Sequence, residues 1–247
     1  MIKVAVCGAR GKLGSALVAG FKASGEIDVV AEVDFGDDLQ AITAAGAEVI
    51  VDVTSPDAVM GNLEFAVKHG IHAVVGTTGF DDARLEQIRA WLGEAPATGV
   101  LICPNFSIGA ILMMQFAAKA APYFESVEII ELHHPTKADA PSGTSARTAE
   151  LIAAARLAAG TPNAPDATSV ALEGARGAKV EGVPVHSLRV RGLVAHQEVI
   201  FGSVGETLTI RHDSMDRSGF APGAIAGIKG VRTLRGLTVG LENVLDL

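Results

Sequence analysis

The chain has 247 residues, of which 49% are hydrophobic and 19% are charged, and its formal net charge is −8. This composition is typical of a folded globular protein, and the length allows one large domain or two smaller ones with real cores. The negative net charge argues against a nucleic-acid partner, because a phosphate backbone is held by a surplus of Lys and Arg. Any anionic ligand must therefore be held by positive groups that are gathered locally.

The N-terminal segment, MIKVAVCGARG, runs directly into a predicted strand and lacks the charged and apolar regions of a signal peptide. No apolar run reaches the roughly 18 residues that a membrane-spanning helix needs. We therefore expect a cytoplasmic protein without a membrane partner. Cys7 and Cys103 each end an apolar run and are interpreted as buried, reduced thiols. A catalytic nucleophile at Cys103 is the alternative.

A glycine-rich turn follows the first predicted strand, Ile2 to Val6, and leads into an amphipathic helical pattern. Its spacing is G-x-x-G-x-x-G, which permits a tight turn and lets a pyrophosphate approach the helix N-terminus closely. Because the pattern directly follows the first strand, it predicts a dinucleotide site. The candidate cofactor-binding residues of this turn are Gly8, Ala9, Arg10, Gly11, Lys12 and Leu13.

The second predicted strand, Asp28 to Val33, ends in Asp34, about 20 residues beyond the last glycine of the turn. A carboxylate at this position can accept hydrogen bonds from the adenosine ribose, which favours NAD. Arg10 and Lys12 could still reach a 2′-phosphate, so both NADH and NADPH remain open as cofactors. For a single acid, the alternative is an ordinary solvated residue at the end of a strand.

Strand and helix patterns continue to alternate up to about residue 106, with further strands predicted at Glu48 to Val53, Ile71 to Val75 and Val100 to Cys103. This alternation predicts an α/β fold with a parallel, doubly wound sheet, in which ligands lie at the carboxyl ends of the strands. Two loops at such ends are candidate contacts for the nicotinamide side of the cofactor. They contain Gly76, Thr77 and Thr78, and Cys103, Pro104, Asn105 and Phe106.

The second half of the chain has a different order of elements. An apolar helical run from Ile108 to Ala120 is interpreted as core, and residues 160–182 are interpreted as a long loop. Three consecutive strand patterns then predict a second, α+β domain with a mainly antiparallel sheet. One face of this sheet is expected to be covered by helices and the other by another subunit. A final helix and strand, from Phe220 to Leu241, predict a return to the first domain.

Residues 131–145, ELHHPTKADAPSGTS, are predicted to connect a strand to a helix and to gather titratable groups. An unperturbed histidine has a pKa near ~6.5, so His133 and His134 could each exchange protons near neutrality. Lys137 could hold a carboxylate or donate a proton. We interpret the stretch as a site for an anionic substrate and a reaction that consumes protons.

The helix that follows this stretch should start at Ser142, Gly143 and Thr144. Its first N–H groups and the positive end of its dipole would favour a bound carboxylate. The simpler alternative is that these residues only begin a helix, with Ser142 as the N-cap. His186, His196 and His212, on the later strands, are interpreted as structural or interface residues.

Four motifs occur in one order along the chain: G-x-x-G-x-x-G, GTTG, PNFS and E-L-H-H-x-x-K-x-D-A-P-S-G-T. With them the chain resembles the dihydrodipicolinate reductase (4-hydroxy-tetrahydrodipicolinate reductase) family of the diaminopimelate and lysine pathway, over essentially its whole length. The histidine-lysine motif is specific to that family, whereas many dehydrogenases share the glycine motif. Phe35 stands where some members carry Arg, which removes a possible contact to a 2′-phosphate.

The resemblance implies NAD(P)H-dependent reduction of 4-hydroxy-tetrahydrodipicolinate with loss of water. It implies a dinucleotide-binding domain at residues 1–106 plus 216–247, and a substrate-binding and oligomerisation domain at residues 107–215 in a homotetramer. His133 would be the proton donor or acceptor and Lys137 the proton donor. The substrate dicarboxylate would be bound by His134, Lys137, Ser142, Gly143 and Thr144.

Two other functions are weighed against this one. A non-catalytic sensor of NAD(P)H would account for the glycine turn and the two-faced sheet, but it leaves the proton donors at residues 133–137 without a purpose. A metal site at His133 and His134 is disfavoured, because adjacent residues rarely aim at one ion and no Cys, Asp or Glu ligand set accompanies them. No metal is therefore expected.

Overall fold

The computed structural model describes residues 1–94 and 96–245. The chain divides into two compact units, of which the first comprises Met1–Ile108 together with the segment from Arg217 onward, and the second is Gly109–Asp216. No helix among the described residues is both long enough and apolar enough to cross a membrane.

The described residues form eleven strands and seven α-helices. In chain order they are β1 (Ile2–Cys7), α1 (Lys12–Ser24), β2 (Ile27–Val33), α2 (Gln40–Ala44), β3 (Val49–Asp52), α3 (Val59–Lys68), β4 (His72–Val75), α4 (Asp82–Leu92), β5 (Gly99–Ile102), α5 (Ile108–Ala120), β6 (Ser126–His133), α6 (Gly143–Ala158), β7 (Ala178–Val180), β8 (Val183–Arg189), β9 (Ala195–Ser203), β10 (Glu206–Ser214), α7 (Ala221–Val231) and β11 (Gly236–Val239).

Unit 1 is built on a six-stranded sheet in the order β2-β1-β3-β4-β5-β11, and all of its strand pairs are parallel. Strands β3, β4 and β5 are short, almost wholly buried runs, as expected for a parallel sheet that is covered on both faces. The predicted parallel sheet is confirmed. The strand order reverses between β1 and β3, and such a switch point opens a crevice at the carboxyl ends of the strands.

Helix α1 shows how the sequence positions this crevice. Its buried residues Leu17, Val18 and Phe21 recur at helical spacing and form the face that packs inward. Gly11 occupies the N-cap, and Gly25 ends the helix in the left-handed conformation, with φ of 66°. The helix therefore begins immediately behind the glycine turn that follows β1.

Unit 2 is built on a five-stranded sheet in the order β10-β9-β6-β8-β7. Only β6 and β8 pair in parallel among its described strands, so the predicted, mainly antiparallel sheet is confirmed. Its core forms where inward residues of the sheet, such as Ile129 and Phe201, meet Met113 of α5 and Ile152 of α6. Central strand β6 is therefore held by neighbours on both edges and by helices on one face.

Strands β6 and β7 differ from the sequence prediction. Strand β6 extends to His133, so the first three residues of the predicted strand-to-helix connection, 131–133, belong to the strand. The reason is that β9 pairs with β6 over its whole length and β8 pairs with it from Ile129 to His133. Strand β7 also lies inside the segment predicted as a loop, and it forms a hairpin with β8 through Glu181 and Gly182, whose φ angles are 48° and 84°.

Candidate active site

The glycine turn after β1 is packed tightly against the end of β3. The Gly8 N–H donates to Val33 O at 2.7 Å, and Gly8 adopts φ of 86°. A Cβ built on Gly8 would lie 2.7 Å from Val53 O, and one on Gly14 would lie 2.0 Å from Gly8 O. Both positions therefore admit only glycine, which is what a backbone cradle for a pyrophosphate requires.

The start of α1 carries no negative side chain. Its N-cap, Gly11, makes no side-chain cap bond, and its first turn contains no acidic residue. Ala9 is buried, whereas Arg10, Gly11 and Lys12 are exposed. A helix start of this kind presents N–H groups and a positive dipole end to an anion.

A cavity of about 530 Å³ in unit 1 joins this turn to the ends of β2 and β3. Its lining includes Gly8, Gly11 and Asp34, which were predicted to bind the cofactor, together with Phe35 and Asp37. Among the described residues, those that line it do not include the loops at residues 76–78 and 103–106. The turn and Asp34 thus share one cleft, and this donor and acceptor set fits a dinucleotide.

Asp34 and Asp37 both contact Arg10. Asp34 Oδ2 accepts from the Arg10 main-chain N–H at 2.8 Å and lies 3.3 Å from Arg10 Nε, while Asp37 Oδ2 accepts from Arg10 Nη2 at 2.8 Å. The Asp34 N–H also donates to Asp37, and with Arg10 it holds the pKa of Asp37 below its usual value. The Arg10 guanidinium thus interacts with two carboxylates.

Asp52, at the end of β3, was not identified from the sequence. It is fully buried, and its carboxylate accepts from the Thr54 and Thr77 hydroxyls at 2.8 and 2.7 Å and from Asn62 Nδ2 at 2.7 Å. Its main-chain oxygen accepts from the Gly76 N–H at 2.8 Å. The Thr77 hydroxyl is therefore directed at Asp52, while Thr78 is exposed. In the sequence, Asp52 could have been identified as the acid that ends the apolar run VIVD.

The loop after β5 contributes mostly buried groups. Cys103 is fully buried, and burial raises the pKa of its thiol, which argues against a nucleophilic thiolate. Phe106 is also buried, and a Cβ on Gly76 would lie 2.4 Å from its ring, so the two predicted loops pack against each other. Pro104 is exposed and Asn105 is half-buried. Because the Cys103 side chain is buried, only main-chain groups of this residue could contact a ligand.

In unit 2, the histidine-lysine cluster lies where β6 ends. His133 Nδ1 hydrogen-bonds to Glu131, and its side chain is 13% exposed. The next residue, His134, bonds through Nδ1 to the Thr136 hydroxyl at 2.7 Å. A turn joins His134 to Lys137, whose N–H donates to His134 O at 3.2 Å. The turn therefore brings Lys137 back towards the strand end.

The surroundings of His133 favour its neutral form. Burial lowers the pKa of His133 by more than the hydrogen bond with Glu131 raises it, and the charges of Lys137 and Arg189 lower it further. Lys137 is thus close enough to act on the imidazole. Because an ionised carboxylate only accepts, the hydrogen of neutral His133 lies on Nδ1 and its Nε2 carries the lone pair.

The start of α6 is held by hydrogen bonds of Ser142 to groups inside unit 2. Ser142 is the N-cap, its hydroxyl accepts from the Ser145 N–H at 3.2 Å, and its own N–H donates to Glu131 at 3.2 Å. Ser142 is buried, whereas Gly143 is exposed and Thr144 is half-buried. Of the three residues predicted to bind substrate here, Ser142 thus has its side chain and N–H engaged inside the protein.

A carboxylate of the chain itself already lies at this helix start. Asp139 Oδ1 is 2.7 Å from Lys137 Nζ, and the hydrogen bond from Lys137 holds the pKa of Asp139 below its usual value against a smaller effect of burial. A Cβ on Gly143 would meet nothing within 4 Å. Lys137 thus pairs with a carboxylate shortly before the start of α6, where the space beside Gly143 is open.

Glu131 and Arg189 complete the cluster, although neither residue was assigned a role from the sequence. Arg189 donates to Glu131 through Nη1 and Nη2 at 2.8 and 2.7 Å, and Nη2 also donates to Asp139 O at 2.8 Å. Burial alone would raise the pKa of Glu131, but hydrogen bonds from Arg189, Ser187 and His133 outweigh it and leave the pKa lowered. The signal for Arg189 was absent, because it reaches Glu131 only through the pairing of β8 with β6.

Within residues 1–94 and 96–245, no group of three or more His, Cys, Asp or Glu side chains is placed to hold a metal ion. His133 and His134 instead bond to Glu131 and Thr136.

A parallel sheet with a glycine turn at its switch point, in a chain that also carries a histidine-lysine cluster, is characteristic of nicotinamide-dependent oxidoreductases. Family models described as dihydrodipicolinate reductase, N-terminus and C-terminus, match residues 2–106 and 109–245. The chain belongs to the dihydrodipicolinate reductase family, as the sequence motifs predicted.

Individual relatives agree with this membership. Over 246 residues the chain is 64% identical to the 4-hydroxy-tetrahydrodipicolinate reductase of Nocardia farcinica, covering 100% of this chain and 99% of the relative. It is 60% identical to that of Mycolicibacterium smegmatis, with 100% of both chains covered. A dipicolinate-bound dihydrodipicolinate reductase from Paenisporosarcina sp. TG-14 superimposes with a TM-score of 0.88 at 37% identity, covering 99% of this chain and 100% of that one.

Proposed function

We propose that this protein reduces 4-hydroxy-tetrahydrodipicolinate to tetrahydrodipicolinate, with loss of water and with NADH or NADPH as the reductant. Relatives that match the chain over its full length carry the corresponding name, and a similar solved protein binds dipicolinate, a ring with two carboxylates. The observation that carries the proposal is the Lys137 ammonium, which already pairs with a carboxylate and lies in the cluster that contains His133.

The substrate carboxylate would take the place that the Asp139 side chain occupies. Lys137 would supply a charge-assisted hydrogen bond, and Gly143 and Thr144 would supply the helix start. Asp139 is 56% exposed, so its carboxylate can swing into solvent without leaving a buried charge. His134, half-buried at the start of the turn, would contact the substrate at the rim.

The glycine turn and the start of α1 would hold the cofactor pyrophosphate, and Asp34 would hold the adenosine ribose. Residues 76–78 and 103–106 would contact the nicotinamide half, chiefly through Thr78, Asn105 and main-chain groups. The cofactor supplies a hydride to the substrate. Unit 1 would thus serve as the dinucleotide-binding domain and unit 2 as the substrate-binding domain.

Proton handling would be divided between two side chains. Loss of the ring hydroxyl as water leaves an imine conjugated with a carbon-carbon double bond, and addition of hydride then leaves negative charge on the ring. Lys137 would deliver the proton that quenches it, because an ammonium carries a proton at neutral pH. Neutral His133 would accept a hydrogen bond or a proton at Nε2.

NADH would be preferred over NADPH. A 2′-phosphate beside Asp34 would meet the additional charge of Asp37, and the Arg10 guanidinium that could offset it is already shared by both acids. Phe35, fully exposed at the same edge, offers no charge. Because these groups are solvated, we expect a preference of roughly tenfold or less, which corresponds to at most about 1.4 kcal/mol.

A homotetramer would cover the outer face of the unit 2 sheet. Ile130, Leu132, Leu188 and Ile200 lie on the face opposite to the helices, and Leu188 is 38% exposed. Apolar side chains exposed on a sheet face are typical of a subunit interface. A second copy of this chain is the proposed partner.

The test follows NADH and NADPH absorbance in parallel, with substrate freshly formed from pyruvate and aspartate semialdehyde. We expect turnover with both cofactors, faster with NADH, and light scattering of the same preparation should give four times the chain mass.

His133→Gln combined with Lys137→Ala should lower turnover by about 10²-fold or more, the scale of lost acid-base catalysis. NADH binding should be unchanged.

A matched double variant, His69→Gln with Lys119→Ala, removes an exposed histidine and an exposed lysine elsewhere and should turn over normally. A wild-type protein that binds NADH but does not consume it with this substrate would instead support the sensor function. Equal turnover in the His133 and Lys137 double variant would refute the assigned site.

A further inference from the structure

Glu131 is a fully buried carboxylate in the central strand of unit 2, at the inner side of the histidine-lysine cluster. Its Oε1 accepts from Arg189 Nη2 and from the Ser142 N–H, and its Oε2 accepts from Arg189 Nη1 and bonds to His133 Nδ1. With the further hydrogen bond from the Ser187 side chain, these bonds engage both oxygens of the ionised carboxylate. The orientation of the Glu131 carboxylate is therefore set by partners on each oxygen.

The partners of Glu131 come from three parts of the cluster. His133 is the end of β6, Ser142 is the N-cap of α6, and Arg189 is the end of β8. Arg189 also donates to Asp139 O, in the loop that carries Lys137. One ion pair thus ties together the imidazole, the helix start and the lysine loop.

Stability alone does not explain this ion pair, in which the carboxylate is fully buried while the Arg189 side chain is 20% exposed. Removing a carboxylate from water costs several kcal/mol, and apolar residues of similar volume often stabilise a protein equally well. An apolar pair, however, cannot determine which ring nitrogen of a histidine carries the hydrogen. A fixed hydrogen-bond acceptor at Nδ1 places the hydrogen on Nδ1.

We infer that Glu131 and Arg189 are positioning residues: Glu131 fixes His133 as the tautomer that carries hydrogen on Nδ1, and Arg189 fixes the orientation of the Glu131 carboxylate. The inference rests on the proposed function, because it assigns Nε2 of His133 to the substrate. The same carboxylate also holds Ser142, the N-cap of α6, through its N–H.

Glu131→Gln tests this role with almost no change in shape. The new amide can accept a hydrogen bond from Arg189 with its oxygen, and its NH₂ group then faces His133 Nδ1. A donor in that position makes Nδ1 an acceptor and moves the imidazole hydrogen to Nε2. We expect kcat to fall by about 10²-fold, the scale of lost acid-base help, while NADH binding is unchanged.

The decisive readout is the tautomer of His133, measured by ¹H–¹⁵N NMR without substrate, with the resonance assigned by comparison with His133→Gln. Wild type should carry hydrogen on Nδ1 and Glu131→Gln on Nε2. Glu150→Gln makes the same chemical change on the exposed side of α6, where Glu150 pairs with Arg147, and should match wild type in both readouts.

Arg189→Lys covers the case in which Glu131→Gln does not fold, because it keeps the charge and loses the two-pronged contact. We expect an intermediate loss of kcat and a His133 resonance in which both tautomers are populated. Normal turnover in Glu131→Gln, or lost turnover with the wild-type tautomer, would overturn the inference. Because the tautomer is measured without substrate, a wild type that fails to reduce the substrate would refute only the proposed function.

Discussion

The side chain of His133 lies between one carboxylate and two cations. Glu131 raises its pKa, but burial, Lys137 and Arg189 together lower the pKa below the ordinary value. The sequence predicted which residue types meet here, because ELHH and K lie within seven positions. It could not predict the protonation state of His133, since that depends on Arg189, which lies 56 positions further along the chain.

The lowered pKa gives a prediction about pH. His133 should titrate with a midpoint below ~6.5, the value for an unperturbed histidine. The unfolded chain then binds a proton more readily than the folded one, so the stability contribution is complete above ~6.5 and is lost as pH falls through the folded pKa.

The measurement is an NMR titration of His133 together with unfolding free energies at several pH values. His133→Gln cannot titrate at this position, so the stability of wild type relative to this variant should fall as the solution is acidified through that window. A midpoint at or above ~6.5, or a difference independent of pH, would contradict the described surroundings.

At the scale of elements, the glycine turn between β1 and α1 was predicted correctly because its signals are local. The strand, the glycines and the amphipathic helix follow one another directly, and Gly8 needs both its φ of 86° and the space beside Val53. The end of β6 was placed too early for the opposite reason. Its last three residues are strand only because β8 and β9, far along the chain, pair with them.

Gly8→Ala tests the turn. A Cβ would meet Val53 O at 2.7 Å in a conformation that alanine rarely adopts, so the turn must shift. We expect NADH affinity to fall by at least about tenfold and the free energy of unfolding to fall by about 1 to 3 kcal/mol. Fluorescence titration with NADH and thermal unfolding measure the two effects.

Gly61→Ala is the control for this prediction. Gly61 lies in α3, and a Cβ there would meet nothing within 4 Å. This variant should bind NADH normally and gain up to about 1 kcal/mol of stability, because alanine favours a helix. Normal NADH binding by Gly8→Ala would show that the turn does not contact the cofactor.

At the scale of the whole molecule, the order of strands and helices was sufficient to predict a parallel sheet followed by a mainly antiparallel one. The final strand, β11, pairs with β5 at the edge of the parallel sheet. Buried polar groups were the part that the sequence did not predict. Asp52 and Glu131 were missed because a charged residue is buried only where partners from other elements satisfy it, and Arg189 was missed because it is such a partner.

A crystal structure with dipicolinate and NADH would show directly whether Lys137 and the start of α6 hold a substrate carboxylate. We expect one ligand carboxylate on Lys137 Nζ and the Gly143 main chain, with the Asp139 side chain displaced and His133 Nε2 facing the ring. A dipicolinate bound elsewhere, with Asp139 still on Lys137, would contradict this expectation.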